Sequence, residues 1–136
     1  MVGVLVATHG ELAAALLSTL GMILGETEGV EAVTLDASDT LETLSAKLEA
    51  ARSRVDPGNE GTLVLVDMLG GTPFNCGVQM ALSRNVRVIT GVNLPMLFKV
   101  ISHRDEKDLD HLAQEVQVSA RESILTSIEL MKRSQG

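Results

Sequence analysis

Apolar and polar positions along the chain fall into blocks that switch between two periods. Residues 2–7 form an unbroken apolar run that ends in Thr8-His9-Gly10, the pattern of a strand buried on both faces. Residues 11–24 then place Leu12, Leu16, Leu20, Ile23 and Leu24 at helical spacing, with Gly25 where a C-terminal cap belongs. Residues 30–35 read as a second short strand. Asp39-Thr40-Leu41-Glu42 has the form of a capping box, and Leu41, Leu44, Leu48 and Val55 continue it as one helical stripe. Asp56-Pro57-Gly58-Asn59 is a turn by composition. Residues 62–66 are the most strand-like of all, and Asp67 closes them. Gly70-Gly71-Thr72-Pro73 opens the next helix, with Thr72 expected as its N-cap and Pro73 at its first helical position. Residues 86–90 give a fourth strand.

Past Asn93 the alternation stops. Asn93 is placed to cap a short helix carrying Met96, Leu97, Val100 and Ile101, with Pro95 in its first turn. From Asp108, a stripe of Leu109, Leu112, Val116, Ala120 and Ile124 predicts a longer helix. Residues 127–131 read equally as a helix end or a short edge strand. Repeated strand–helix–strand units imply an α/β fold with a parallel sheet, and right-handed crossovers leave few arrangements. The economical one is doubly wound: a four-stranded, mainly parallel sheet in the order 2-1-3-4, flanked by helices. Strands one and three are then neighbours whose following helices lie on opposite faces. Ligands in such sheets bind beyond the carboxyl ends of the strands at that switch point. The site is thereby assigned to the loops Thr8-His9-Gly10 and Asp67-Met68-Leu69-Gly70-Gly71-Thr72.

Composition narrows the class. With 136 residues, one domain is expected, spanning 1–136, and burial of roughly two-thirds of the chain's surface gives it a core without staples. The chain is 45% apolar and 21% charged, which excludes a disordered polymer. Eleven basic against 18 acidic residues, net −7, argue against nucleic-acid binding, and two Phe with no Trp or Tyr exclude a base-stacking platform. A single cysteine fits a reducing compartment. No apolar run is long enough to span a bilayer, and the start of the chain lacks a basic region and reads as strand rather than signal peptide. A soluble, cytoplasmic domain is the expectation.

The chemistry lies at the switch point. A carboxylate at Asp67 accepting the Nδ1 proton of His9 would leave Nε2 with a free lone pair, a nucleophile for covalent catalysis. Around it, the Gly70-Gly71 backbone offers an anion-binding concavity. Two helix N-termini, after His9 and at Thr72, aim N–H groups at the same place, and the Thr8 and Thr72 hydroxyls are further donors. Each element also has an ordinary use: a loop histidine, an Asp that caps a turn, a Gly-Gly turn, a Thr-Pro helix start. Their coincidence at the two loops nominated by topology favours the phosphate-handling reading. Met68 and Leu69, two apolar residues in that loop, are candidates for partner docking.

Three segments carry a family likeness: Val6-Ala7-Thr8-His9-Gly10, the run Leu65-Val66-Asp67-Met68-Leu69-Gly70-Gly71-Thr72-Pro73-Phe74-Asn75, and Gly91-Val92-Asn93-Leu94-Pro95-Met96-Leu97. Over essentially its whole length the chain resembles the IIA component of the mannose family of the bacterial sugar phosphotransferase system. The resemblance implies a phosphocarrier in which His9 takes a phosphoryl group from HPr and passes it to a IIB component, which serves a membrane IIC–IID complex. It implies that Asp67 hydrogen-bonds His9 and that the Thr72 hydroxyl lies at the phosphate site. The expected phosphate-binding set is Thr8, Gly10, Gly70, Gly71 and Thr72. No cofactor is implied. It also implies a homodimer whose mainly parallel sheet gains an antiparallel edge strand exchanged between subunits, for which 128–131 is the candidate. The loop Asp36-Ala37-Ser38-Asp39 departs from the family's Pro-Gly-containing stretch. No IIB segment follows, so the IIB partner is expected on a separate chain, and a regulatory carrier without transport fits as well.

Other classes fare worse. A signalling receiver needs an acidic pair after strand one for magnesium, where this chain has Ala7-Thr8-His9. The phosphotransfer subunit of the dihydroxyacetone kinase system is the runner-up, disfavoured by the Gly-Gly-Thr-Pro-Phe-Asn and Gly-Val-Asn-Leu-Pro segments. A metal site from His9, Asp67 and a distant histidine lacks tight ligand spacing. His103 reads as a helix C-terminal cation, His111 as solvated, Cys76 as a small buried hydrophobe, and Met22, Met80 and Met96 as core filler.

Overall fold

In the computed structural model, which describes residues 1–135, four strands pair in parallel in the order β2-β1-β3-β4: β1 (Gly3–His9), β2 (Val30–Leu35), β3 (Thr62–Val66) and β4 (Val86–Thr90). This is the arrangement expected from the alternation of elements. The two central strands are apolar at consecutive positions because both of their faces are covered. Val4, Val6, Leu63 and Leu65 pack with Leu20 of α1 (Leu12–Leu24), Leu97 of α4 (Leu94–His103) and Leu112 of α5 (Leu109–Glu122). Leu5, Ala7, Val64 and Val66 pack on the other face with Leu44 and Leu48 of α2 (Leu41–Val55) and Met80 of α3 (Thr72–Ser83). Each fully buried Leu or Val contributes about 1.5–3 kcal/mol. No helix is long and apolar enough to cross a membrane among the described residues.

Several local expectations shift. The N-cap of α3 is Gly71, not Thr72, which is its first helical residue, so Pro73 takes the second position. The box that caps α2 is built one residue later than Asp39: Thr40 Oγ1 accepts the Thr43 N–H at 3.2 Å and Thr43 Oγ1 accepts the Thr40 N–H at 2.8 Å. Helix α5 stops at Glu122, which leaves Ile124 exposed beyond the stripe that was expected to bury it. Met22 is 86% exposed rather than core, because α1 seats only Ala13 and Leu20 fully and turns Leu12, Met22 and Ile23 outward. Met80 and Met96 are buried.

Residues 127–131, open between helix and strand in the sequence, belong to a helix, α6 (Ser127–Gln135). Thr126 caps it through the Glu129 N–H at 3.1 Å. A segment with no strand beside it satisfies its own backbone groups only by coiling. No residue of α6 is buried, and Ile128, Leu130 and Met131 face outward.

The loop after β2 is held by charge. Lys47, midway along α2, donates from Nζ to the Thr34 carbonyl at 3.1 Å, to Asp36 at 3.2 Å and to Asp39 at 2.6 Å. Asp39 Oδ2 also accepts the Asp36 N–H at 2.8 Å, and its Oδ1 accepts the Thr43 hydroxyl at 2.8 Å. The hydrogen bond from Lys47 first, then those from the Asp36 N–H and the Thr43 hydroxyl, lower the Asp39 pKa from 3.8 to about 2. A depressed carboxyl adds stability that is full above its unfolded pKa and lost as pH falls through its folded one. Between pH 3.8 and about 2 the melting temperature of the native chain is therefore expected to fall more steeply than that of Asp39→Asn. Parallel acid profiles in calorimetry would show that the clamp does not stabilise the fold.

Candidate functional site

The site grows from strand register. Ala7 of β1 lies opposite Val66 of β3, so His9, two residues on, and Asp67, one residue on, lie at the same edge of adjacent strands. One carboxylate oxygen, Asp67 Oδ2, accepts the His9 backbone N–H at 3.1 Å and lies 2.8 Å from His9 Nδ1. The other, Oδ1, accepts the Met68 N–H at 3.1 Å. Burial pushes the Asp67 pKa up, but hydrogen bonds from the His9 ring and backbone, with the Coulombic pull of the ring, outweigh it and hold the carboxyl below the usual range. An ionised Asp67 has only lone pairs to offer, so Nδ1 must carry the proton of a neutral imidazole and Nε2 the lone pair. The carboxylate is 13% exposed and the imidazole 47%, so the anchor is shielded while the reactive edge is open.

The glycines make room. A Cβ on Gly71 would lie 2.8 Å from His9 Cε1 and 3.4 Å from Nε2, so the ring rests against the Gly71 backbone. Gly70 (φ +84°) and Gly10 (φ +56°) hold left-handed conformations that L side chains rarely adopt. The Gly10 N–H donates to the Leu35 carbonyl at 3.0 Å, which ties the His9 turn to the end of β2. Thr8 is wholly buried, and its Oγ1 accepts the Ala13 N–H at 2.8 Å in the first turn of α1. Thr72 is half-buried at the start of α3, and its hydroxyl has no protein partner among the described residues. Met68 and Leu69 are 56% and 71% exposed.

The helices that follow the His9 and Asp67 loops start differently from the others. Thr40, Asn93 and Asp108 cap α2, α4 and α5 through their side chains, whereas neither Glu11 at α1 nor Gly71 at α3 makes a side-chain cap. The first N–H groups of α3 are thus left without side-chain partners at the positive end of a helix dipole, beside His9. Such an end accepts an anion, and an imidazole with a free Nε2 is a nucleophile toward it.

The remaining histidines lie apart. His103 ends α4, with Nδ1 3.7 Å from both Glu106 and Glu115, and His111 sits in the first turn of α5 against Asp108 at 2.8 Å. Among the described residues no three His, Cys, Asp or Glu side chains converge as a metal site would require. A cavity of about 710 Å³ lies away from His9, along the outer edge of β4, between Thr90, Gln117 and Ile124. The Lys47 clamp leaves no signal in the sequence, because Asp36, Asp39 and Lys47 have no spacing that marks them as partners.

Comparison with known proteins bears on the family and the fold. The family model described as the PTS system fructose IIA component matches residues 3–117. The chain is 31% identical over 134 residues to the PTS system fructose-specific EIIA component of Bacillus subtilis (strain 168), covering 98% of this chain and 91% of that one. It is 37% identical over 106 residues, or 77% of the chain, to the PTS system mannose-specific EIIAB component of Escherichia coli (strain K12), of which it spans only 32%. The crystal structure of the phosphotransferase system component EIIA from Streptococcus agalactiae superposes with a TM-score of 0.84 at 28% identity, covering 93% of this chain and 97% of the other.

The close approach at Gly71 makes a direct test. In Gly71→Ala the new methyl must displace the imidazole, and a half-exposed ring swings away at little cost, less than about 1 kcal/mol of stability. The expected result is a near-native melting temperature with the His9 Nδ1–H signal lost from imidazole nitrogen NMR. An unchanged signal would refute the contact.

Proposed function

Since the chain belongs to the fructose- and mannose-type IIA family of the sugar phosphotransferase system, we propose that it is a cytoplasmic phosphocarrier whose His9 accepts a phosphoryl group from phospho-HPr and hands it to a IIB component. The Nε2 lone pair attacks phosphorus, an N–P bond forms, and the bond to the donor's leaving atom breaks. The proton on Nδ1 stays in place, shared with Asp67, which stabilises the positive ring of the phosphohistidine. Handing on to IIB reverses these events, with Nε2 as leaving group. The observation that carries the reading is the 2.8 Å contact between Asp67 and Nδ1, with Nε2 against the open start of α3.

The other residues support the phosphoryl group. Gly10, Gly70 and Gly71 let the backbone approach it, the Thr72 hydroxyl and the first N–H groups of α3 receive its oxygens, and Thr8 serves by fixing the start of α1. A half-exposed imidazole suits a protein donor that presents phosphorus to it, and Met68 and Leu69 form the apolar rim such a partner would cover. Sugar phosphorylation at a membrane IIC–IID complex then follows downstream of IIB.

The test uses phosphoenolpyruvate, enzyme I and HPr, with intact mass as readout. The native chain is expected to gain an acid-labile phosphate that His9→Ala does not take. In Asp67→Asn the amide offers N–H to Nδ1 and favours the wrong tautomer, so phosphorylation should slow by about a hundredfold or more. An adduct retained in His9→Ala, or a native rate in Asp67→Asn, would remove these assignments.

We also assign the chain to a homodimer. The outer edge of β4 is unpaired, the cavity of about 710 Å³ runs along it, and Ile124, Leu125, Ile128, Leu130 and Met131 beyond α5 are exposed. A sheet edge and an apolar tail left open together are what a second copy would cover. Light scattering after gel filtration is expected to give twice the chain mass, and Ile124→Asp with Ile128→Asp to give the monomer. A native monomer at micromolar concentration would overturn the assignment.

A further inference from the structure

The turn that carries His9 is held from outside the catalytic pair. Gly10, directly after the histidine, donates its N–H to the Leu35 carbonyl at 3.0 Å, and Leu35 is the register partner of His9 in the sheet. The end of β2 is therefore one wall of the His9 turn. It is also an edge strand that runs into an exposed loop, Asp36-Ala37-Ser38, and such ends fray unless something ties them down. Lys47 is that tie. Its ammonium holds the Thr34 carbonyl, one residue before Leu35, together with the Asp36 and Asp39 carboxylates just beyond it.

We infer that Lys47 is a positioning residue for His9: by binding the segment on both sides of Leu35 to α2, it keeps the Leu35 carbonyl on the Gly10 N–H and so keeps the imidazole seated between Asp67 and Gly71. The ammonium is occupied by three acceptors of its own segment and touches no reacting atom. Its effect on phosphoryl transfer rests on the phosphocarrier reading; its effect on the seating of the ring does not.

Lys47→Met keeps the aliphatic stem and removes the three donors, while Lys47→Arg keeps a donor and its charge. With phospho-HPr in single turnover, the saturating rate of Lys47→Met is expected to fall about tenfold or more, as for other small misplacements of a reacting group. The half-saturating concentration should stay native, because Met68 and Leu69 are untouched, and Lys47→Arg should recover most of the rate. In parallel, the His9 Nδ1–H signal in imidazole nitrogen NMR is expected to broaden in Lys47→Met and to return in Lys47→Arg.

A lower melting temperature with a native saturating rate and a native Nδ1–H signal would overturn the inference, as would a change confined to the half-saturating concentration. If the native chain takes no phosphate at all, the phosphocarrier reading fails. The imidazole signal then decides the clamp by itself, a native signal in Lys47→Met overturning it and a broadened one supporting it. Should Lys47→Met not fold, Lys47→Met with Asp39→Asn, which leaves only the exposed Asp36 carboxylate without its partner, replaces it in both measurements.

Discussion

Parallel pairing of β1 with β3 is the constraint on which the rest depends. It brings two loops 58 residues apart to one edge, where a single oxygen of Asp67 receives both the backbone N–H and the ring Nδ1 of His9. Two donors on one acceptor fix more than a distance. The backbone bond sets where the histidine leaves the strand, and the ring bond sets the plane and tautomer of the imidazole. The hydrogen bonds keep this carboxylate ionised against the opposing effect of burial, so the proton stays on Nδ1 and the lone pair stays on Nε2. Close packing of both strands against helices on the two faces of the sheet is what holds this register.

Much of this was legible in the chain, because the signals were local and repeated. Apolar runs in strands one and three, helical stripes between them and the right-handed crossover rule together imply the strand order, and the strand order implies that His9 and Asp67 meet. The misreadings arise where two local signals compete within a few residues. Asp39 and Thr40 are both good helix caps, and the deciding factor was Lys47, a tertiary partner that leaves Thr40 the cap. Thr72 is the better cap by composition, but the chain must pass His9 at a distance only glycine allows, and Gly71 takes the position. Met22 looked like core because helical spacing names a face without saying whether anything lies against it. The segment 127–131 stayed undecided because a strand needs a neighbour, and no sequence within this chain shows where that neighbour comes from.

The distribution of helix caps suits the phosphoryl chemistry proposed for the His9 and Asp67 loops. A side-chain cap stabilises a helix by about 1 kcal/mol, and α2, α4 and α5 each have one. Helix α3 forgoes it, and Gly71 in the N-cap position cannot supply one. An oxygen from a capping side chain would occupy the donors that an incoming anion needs. Helix α1 shows an intermediate solution: Thr8, buried beneath the turn, takes the Ala13 N–H from within and so supports the helix without covering its outer end. The stability given up at α3 is recovered from the two packed faces of the sheet, where the cost is spread over many buried side chains.

A chain of net charge −7 is at first sight a poor acceptor for a phosphoryl group. What matters at Nε2, however, is the field within a Debye length, about 8 Å at physiological salt. The carboxylate in direct contact with the ring is already engaged: Asp67 is matched by the His9 ring and backbone N–H groups. The backbone N–H groups at the start of α3 add dipoles that are fixed by the fold and need no counter-ion. On the phosphocarrier proposal, the remaining negative charge acts at longer range and favours a partner with a basic surface. Binding such a partner and accepting its phosphorus are then separated by distance: net charge steers the encounter, and the start of α3 with His9 is the proposed place of transfer.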